Sequence, residues 1–174
     1  MNDSDVVDLH VGVKGRFKLS VLKDGVMQRE SGWFDNLITD LGMDQLASAV
    51  SPFRYGQVGS SSSSPAYSDT ALGSRIAGVD SGLSSYTSMS IDADNRYAVF
   101  RFVYTFLAGA AAGNIAEVGV SNNLAGTQLT SHARVLDSGG SPTTITVLAG
   151  EDLVLVYEFQ VKQSSGEFTA LVSG

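Results

Sequence analysis

Gly113-Asn-Ile-Ala-Glu-Val-Gly-Val-Ser121 and, further along, Ile145-Thr-Val-Leu-Ala-Gly-Glu-Asp-Leu-Val-Leu-Val-Tyr-Glu-Phe159 are the stretches on which the fold turns. In the second, Leu153, Leu155, Tyr157, Phe159 and Val161 are apolar, while Glu158, Gln160 and Lys162 between them are polar. Successive side chains of a strand point to opposite faces. A period of two over this length therefore sends one row into a core and the other toward solvent.

The same period appears elsewhere. From Leu9 to Val21 the odd positions are mostly apolar and the even ones include Lys14, Arg16 and Lys18, a half-buried strand with a basic outer row. Lys23-Asp24-Gly25 supplies the Asp-Gly pair favoured in tight hairpins, with a second strand from Val26 to Trp33. Asn95 or Arg96 opens a strand with Phe100, Phe102, Tyr104 and Phe106 on one face and Val99, Arg101, Val103 and Thr105 on the other. Buried aromatics supply about 1.5–3 kcal/mol each, which places this strand inside a sheet. Shorter strands are expected at Tyr55–Val58, Ile115–Ser121, Gln128–Leu136 and Thr143–Leu148. One helix is expected over Thr39–Val50, capped by Thr39 or Asp40, with Leu41, Met43, Leu46, Ala47 and Val50 as its apolar stripe. Residues 59–69 hold five consecutive serines and Pro65 without periodicity, a long loop that is either mobile or functional. Residues 70–94 fit no single pattern. The fold class is mainly β: an antiparallel β-sandwich or jelly-roll-like domain with one short helix. Residues 1–8 form a flexible acidic arm, and 9–174 a single domain.

Composition narrows the function. The chain has 174 residues, enough for one domain that buries about 70% of its unfolded surface. It has no cysteine, so disulfides and thiolate metal sites are excluded. Eleven basic against eighteen acidic residues, a net charge of −7, argue against nucleic-acid coating. The first ten residues carry Asp3, Asp5 and Asp8, the opposite of a secretory signal, and the apolar stretch 98–113 is too short and too alternating to span a membrane. Gly and Ser form about a quarter of the chain, in blocks between apolar runs, as loops of a β-protein do.

Catalytic patterns are sparse. There is no phosphate-binding Gly-Lys-Ser/Thr and no Gly-x-Ser-x-Gly elbow. Ser20-Val-Leu-Lys23 matches Ser-x-x-Lys in spelling only, since it runs into a hairpin. His10 and His132 are the only histidines, and both read as surface residues, His132 pointing outward from a strand. Asp92-Ala-Asp94-Asn95 begins like a calcium loop, but Arg96 and Tyr97 occupy a ligand position and the required glycine. No cofactor or metal is expected. Lys14, Arg16 and Lys18 are candidate assembly contacts for an acidic neighbour, against the plainer reading of a solvated face or a protected sheet edge. Tyr55, Tyr67 and Tyr86 are candidate loop contacts for a glycan.

Three segments resemble the β-sandwich domain of tailed-bacteriophage virion proteins, as found in tail, baseplate, collar and fibre components. They are Phe34-Asp-Asn-Leu-Ile-Thr-Asp-Leu-Gly-Met-Asp-Gln-Leu46, Val58-Gly-Ser-Ser-Ser-Ser-Ser-Pro-Ala-Tyr-Ser-Asp-Thr-Ala-Leu72, and residues 113–161 including Leu129–Arg134. The resemblance implies a non-enzymatic virion structural protein. It would self-associate as a trimer or ring, contact other virion proteins, bind neither nucleic acid nor membrane, and reside in the virion after assembly in the host cytoplasm. Only Gln163–Gly174 follow Lys162, which favours a tail, baseplate or collar element over a receptor-binding fibre. The alternative is a host-surface glycan-binding module.

Overall fold

The structure, a computed structural model, describes residues 11–48, 51–81, 88–92 and 97–163. The arm 1–8, His10, Val50, Tyr86 and the segment Asp94-Asn95-Arg96 lie outside the described residues. In chain order the elements are β1 (Val11–Lys23), β2 (Val26–Glu30), β3 (Phe34–Asp35), β4 (Leu37–Ile38), α1 (Asp40–Ser48), β5 (Tyr55–Gly59), β6 (Arg75–Asp80), β7 (Ser88–Asp92), β8 (Tyr97–Phe106), β9 (Gly113–Ile115), β10 (Glu117–Ser121), β11 (Leu129–Arg134), β12 (Ile145–Val147) and β13 (Asp152–Gln163). Six strands form one antiparallel sheet, ordered β2-β1-β13-β8-β7 with β3 also on β1. Five form a second, ordered β4-β11-β10-β5-β6, and β9 and β12 make a short ribbon. Phe17, Leu19, Tyr104, Leu155 and Tyr157 of the first sheet share one core with Val58, Val118 and Val120 of the second. This is the antiparallel β-sandwich with one short helix that the alternation predicts.

Pairing register follows from that alternation. β1 pairs with β13 from Val11↔Gln163 to Leu22↔Asp152, and β13 with β8 from Leu153↔Phe106 to Lys162↔Tyr97. A slip of one residue would turn every apolar row outward. The β1–β2 hairpin closes through Asp24 and Gly25, both at positive φ (51° and 78°), the backbone form that matches strand twist in a two-residue turn.

The two sheets differ in length. β1, β13 and β8 have 13, 12 and 10 residues, whereas β10 and β11 have 5 and 6. At about 3.3 Å per residue, one end of the first sheet extends past the second. The aromatic row of β8 lies on the core face as expected, yet its burial is graded. Tyr104 and Phe106 are buried, while Phe100 and Phe102, on the overhanging end, are only partly so. Phe53 covers part of that end, its ring 5.2 Å from Phe102 and 4.8 Å from Phe159.

The helix departs from the expected stripe. Thr39 caps it, its Oγ1 accepting from the Gly42 N–H at 2.9 Å. It buries Gly42 and Gln45, while Met43 and Ala47 are exposed. A Cβ at Gly42 would overlap the Thr130 carbonyl, so the helix lies almost on the backbone of β11. Close approach at a glycine, with a Thr130 Oγ1 to Gln45 Oε1 hydrogen bond of 2.6 Å, selects the buried face. In the region without a clear pattern, β6 forms an edge of the second sheet and β7 an edge of the first.

Candidate functional site

Strand parity gathers charge on one surface. Even residues of β1 and β13 and odd residues of β8 share the outer face of the six-stranded sheet. Lys14, Arg16, Lys18, Arg101 and Lys162 all stand there, five of the eleven cations of a chain whose net charge is −7. At the centre, Glu158 is 1% exposed between Arg16 and Arg101, whose side chains are 40% and 48% exposed. Arg16 Nε donates to Glu158 Oε2 at 2.6 Å, and Arg101 Nε to Oε1 at 3.0 Å, one arginine per carboxylate oxygen. Burial pushes the Glu158 carboxyl upward. Hydrogen bonds from Arg101 and then Arg16 outweigh it, so the group ionises below its ordinary range.

The three cations expected to make assembly contacts therefore differ in kind. Arg16 is committed to Glu158 and lies over the Trp33 ring, 4.5 Å from its centroid. Charge reversal there would set a carboxylate against a buried carboxylate, so Arg16 serves the fold as well as the face. Lys18 pairs with Glu30 at 2.8 Å. Lys14 stacks on Tyr97, its Nζ 4.5 Å from the ring centroid, and Lys162 reaches the same ring at 5.6 Å. Lys14, Arg16, Asp35, Tyr97, Val99 and Gln160 line an open depression of about 370 Å³. Tyr97, Lys162 and Trp33 were not legible as site residues. Their signal is the pairing register, which local patterns do not carry.

Two of the three candidate tyrosines, Tyr55 and Tyr67, lie among the described residues. Tyr55 is a half-buried strand residue beneath Arg54, which lies 5.1 Å from its ring centroid and pairs with Asp80. Tyr67 is 65% exposed, and Tyr86 lies outside the described residues.

His132 corrects a sequence expectation. Its strand position does point away from the core, but the residue is 3% exposed, because the serine-rich segment folds back over the second sheet. Its Nδ1 lies 2.7 Å from Asp69 Oδ2 and its Nε2 3.0 Å from Glu117 Oε2. A ring nitrogen without its proton would face a carboxylate lone pair to lone pair, so both nitrogens donate and the ring is cationic. Burial lowers its pKa, but the hydrogen bonds to Glu117 and Asp69 prevail and hold it above the ordinary value. Glu117 is fully buried and also accepts the backbone N–H groups of Ser61 (3.2 Å), Gly73 (3.0 Å) and Ser74 (2.7 Å). Desolvation raises its pKa, and the His132 bond followed by these three donors brings it below the usual range. The long loop is thus pinned at both ends, and Leu72 is buried with it.

Both ring nitrogens of His132 are engaged by carboxylates, so neither is open to a nucleophile in this arrangement. Among the described residues no group of three or more His, Asp or Glu is placed to hold a metal ion, and no helix is long and apolar enough to cross a membrane. Comparison with protein-family models, curated proteins and solved structures returns no match to this chain.

Proposed function

We propose that this chain is a non-enzymatic structural protein of a tailed-bacteriophage virion, of tail, baseplate or collar type, that self-assembles and docks on neighbouring proteins through the outer face of its six-stranded sheet. One observation carries the docking role: an acidic chain places five of its eleven cations, with Tyr97 and Trp33, on a single sheet face. Such a face attracts acidic surfaces, and the remainder of a second copy is one. The virion setting is supported by the resemblance of segments 34–46, 58–72 and 113–161. The non-enzymatic role is supported by the full engagement of His132.

Sedimentation across a concentration series at low salt tests self-assembly. The expected result is a concentration-dependent step from the protomer to a trimer or closed ring. A strict monomer at every concentration would overturn it. The glycan-binding alternative is favoured by Tyr67, an exposed aromatic on a serine-rich loop. Saturable glycan binding that Tyr67→Ala abolishes would replace docking with that reading.

A further inference from the structure

Lys14 and Lys162 form an unusual pair. Both ammonium groups converge on the Tyr97 ring, at 4.5 and 5.6 Å from its centroid. Lys162 and Tyr97 are direct cross-strand partners, and Lys14 sits opposite Gln160 on the neighbouring strand. Among the described residues neither lysine forms an ion pair, and Asp35, which lines the same depression, pairs with neither. The other three cations of this face each have an ion-pair partner, Arg16 and Arg101 sharing Glu158 and Lys18 holding Glu30. Two like charges held together without an ion-pair partner favour an anion between or above them. The ammonium groups are no more than about 10 Å apart, a gap that carboxylates two residues apart on an extended peptide, roughly 7 Å, can bridge.

The sequence contains such a peptide. Asp3, Asp5 and Asp8 fall in a run with no lysine or arginine before Lys14, and Asp3 and Asp5 have the required spacing. Lys162 is registered with Gly12 at the Val11 end of β1, so sequence distance does not choose between a chain's own acidic segment and a neighbour's, and the self-assembly proposed above selects the neighbour's.

We propose that the Lys14–Tyr97–Lys162 cluster binds the acidic segment Asp3–Asp8 of a second copy of this chain. The inference rests on the self-assembly proposed above and names its contact. Segment and cluster are different patches, so the contact is heterologous and propagates into a ring when the rotation closes.

Two charge-reversed full-length variants test it, D3K/D5K/D8K and K14E/K162E, each checked by thermal melting for an intact fold. Each alone is expected to sediment as protomer at concentrations where the unaltered chain is oligomeric. A 1:1 mixture is expected to associate again beyond the protomer, because each reversed patch then meets an opposite charge on the other variant. A ring of odd number keeps one mismatched contact, so the readout is mass above the protomer rather than the original stoichiometry. Oligomers that persist in either single variant, or a mixture that stays monomeric, would overturn the segment-to-cluster contact while leaving self-assembly in place. A monomeric unaltered chain would instead remove the self-assembly on which it rests. Retention of polygalacturonate by the unaltered chain that K14E/K162E abolishes, together with an undiminished oligomer in both variants, would overturn the contact and assign the cluster to acidic glycans.

Discussion

Glu158 is the residue that allows the outer face to be so basic. Its carboxylate sits at the crossing of β1, β13 and β8 and takes one arginine on each oxygen, which holds two guanidinium groups close together. Glu158→Gln keeps the shape but turns an amide NH2 toward one guanidinium, donor against donor. Losing a charge-assisted hydrogen bond costs about 1.5–3 kcal/mol, and the partial exposure of both arginines screens the change, so a loss of about 1–2 kcal/mol in urea denaturation at neutral pH is expected. An unchanged midpoint would mean that solvent already satisfies both arginines. The acid limb carries the same information. Because Glu158 ionises below its ordinary value of 4.5, its contribution is present above that pH and disappears as pH falls through the lowered folded value, so the variant should lose less stability on acidification. The alternation of Lys14, Arg16 and Lys18 was legible from sequence. Their partners were not, since Arg16 and Glu158 are 142 residues apart and meet only once β1 and β13 are registered.

At the scale of elements, strands announced themselves wherever apolar alternation was long, as in β1, β8 and β13. The face of α1 did not, because backbone contact at Gly42 outweighs a weak apolar stripe. The loop over the second sheet was legible as a loop but not as an ordered cover. Its anchors, Glu117 and His132, sit on two strands, and their chemistry depends on being buried together. This cover has a predictable pH window. The folded pKa of His132 is raised, so its contribution is fully present below 6.5 and is lost as pH rises through the higher folded value. That of Glu117 is lowered, so its contribution is present above 4.5 and is lost as pH falls through the lower folded value. Protection of the Ser61, Gly73 and Ser74 amides against hydrogen exchange, corrected for intrinsic rates, should therefore be greatest between these pH values and decline on the alkaline side. His132→Gln should remove that alkaline decline. Equal protection at pH 5.5 and 9.5 in the unaltered chain would show that the amides are held without the imidazolium.

For the whole molecule, two surfaces are candidates for the proposed self-assembly, and contacts through them would respond oppositely to salt. One is the basic outer face near the overhanging end of the long sheet. The other is the opposite end, where Lys23↔Val26 and Leu153↔Phe106 bring the β1–β2 hairpin and two turns to one rim that exposes Val26, Met27, Leu107 and Leu148. Ionic attraction between exposed groups decays with a screening length of about 10 Å at 0.1 M and about 3 Å at 1 M, whereas burial of apolar surface is not weakened by added salt. The core that holds the sandwich together is apolar and shared by both sheets, so the fold itself should be nearly indifferent over this range. Raising sodium chloride from about 0.05 to about 0.5 M should then lower the oligomeric fraction several-fold while shifting the melting temperature little. An oligomer that strengthens with salt would locate the contact at the apolar rim and leave the basic face for a different partner. A melting temperature that falls together with the oligomer would mean that the protomer depends on assembly for its stability.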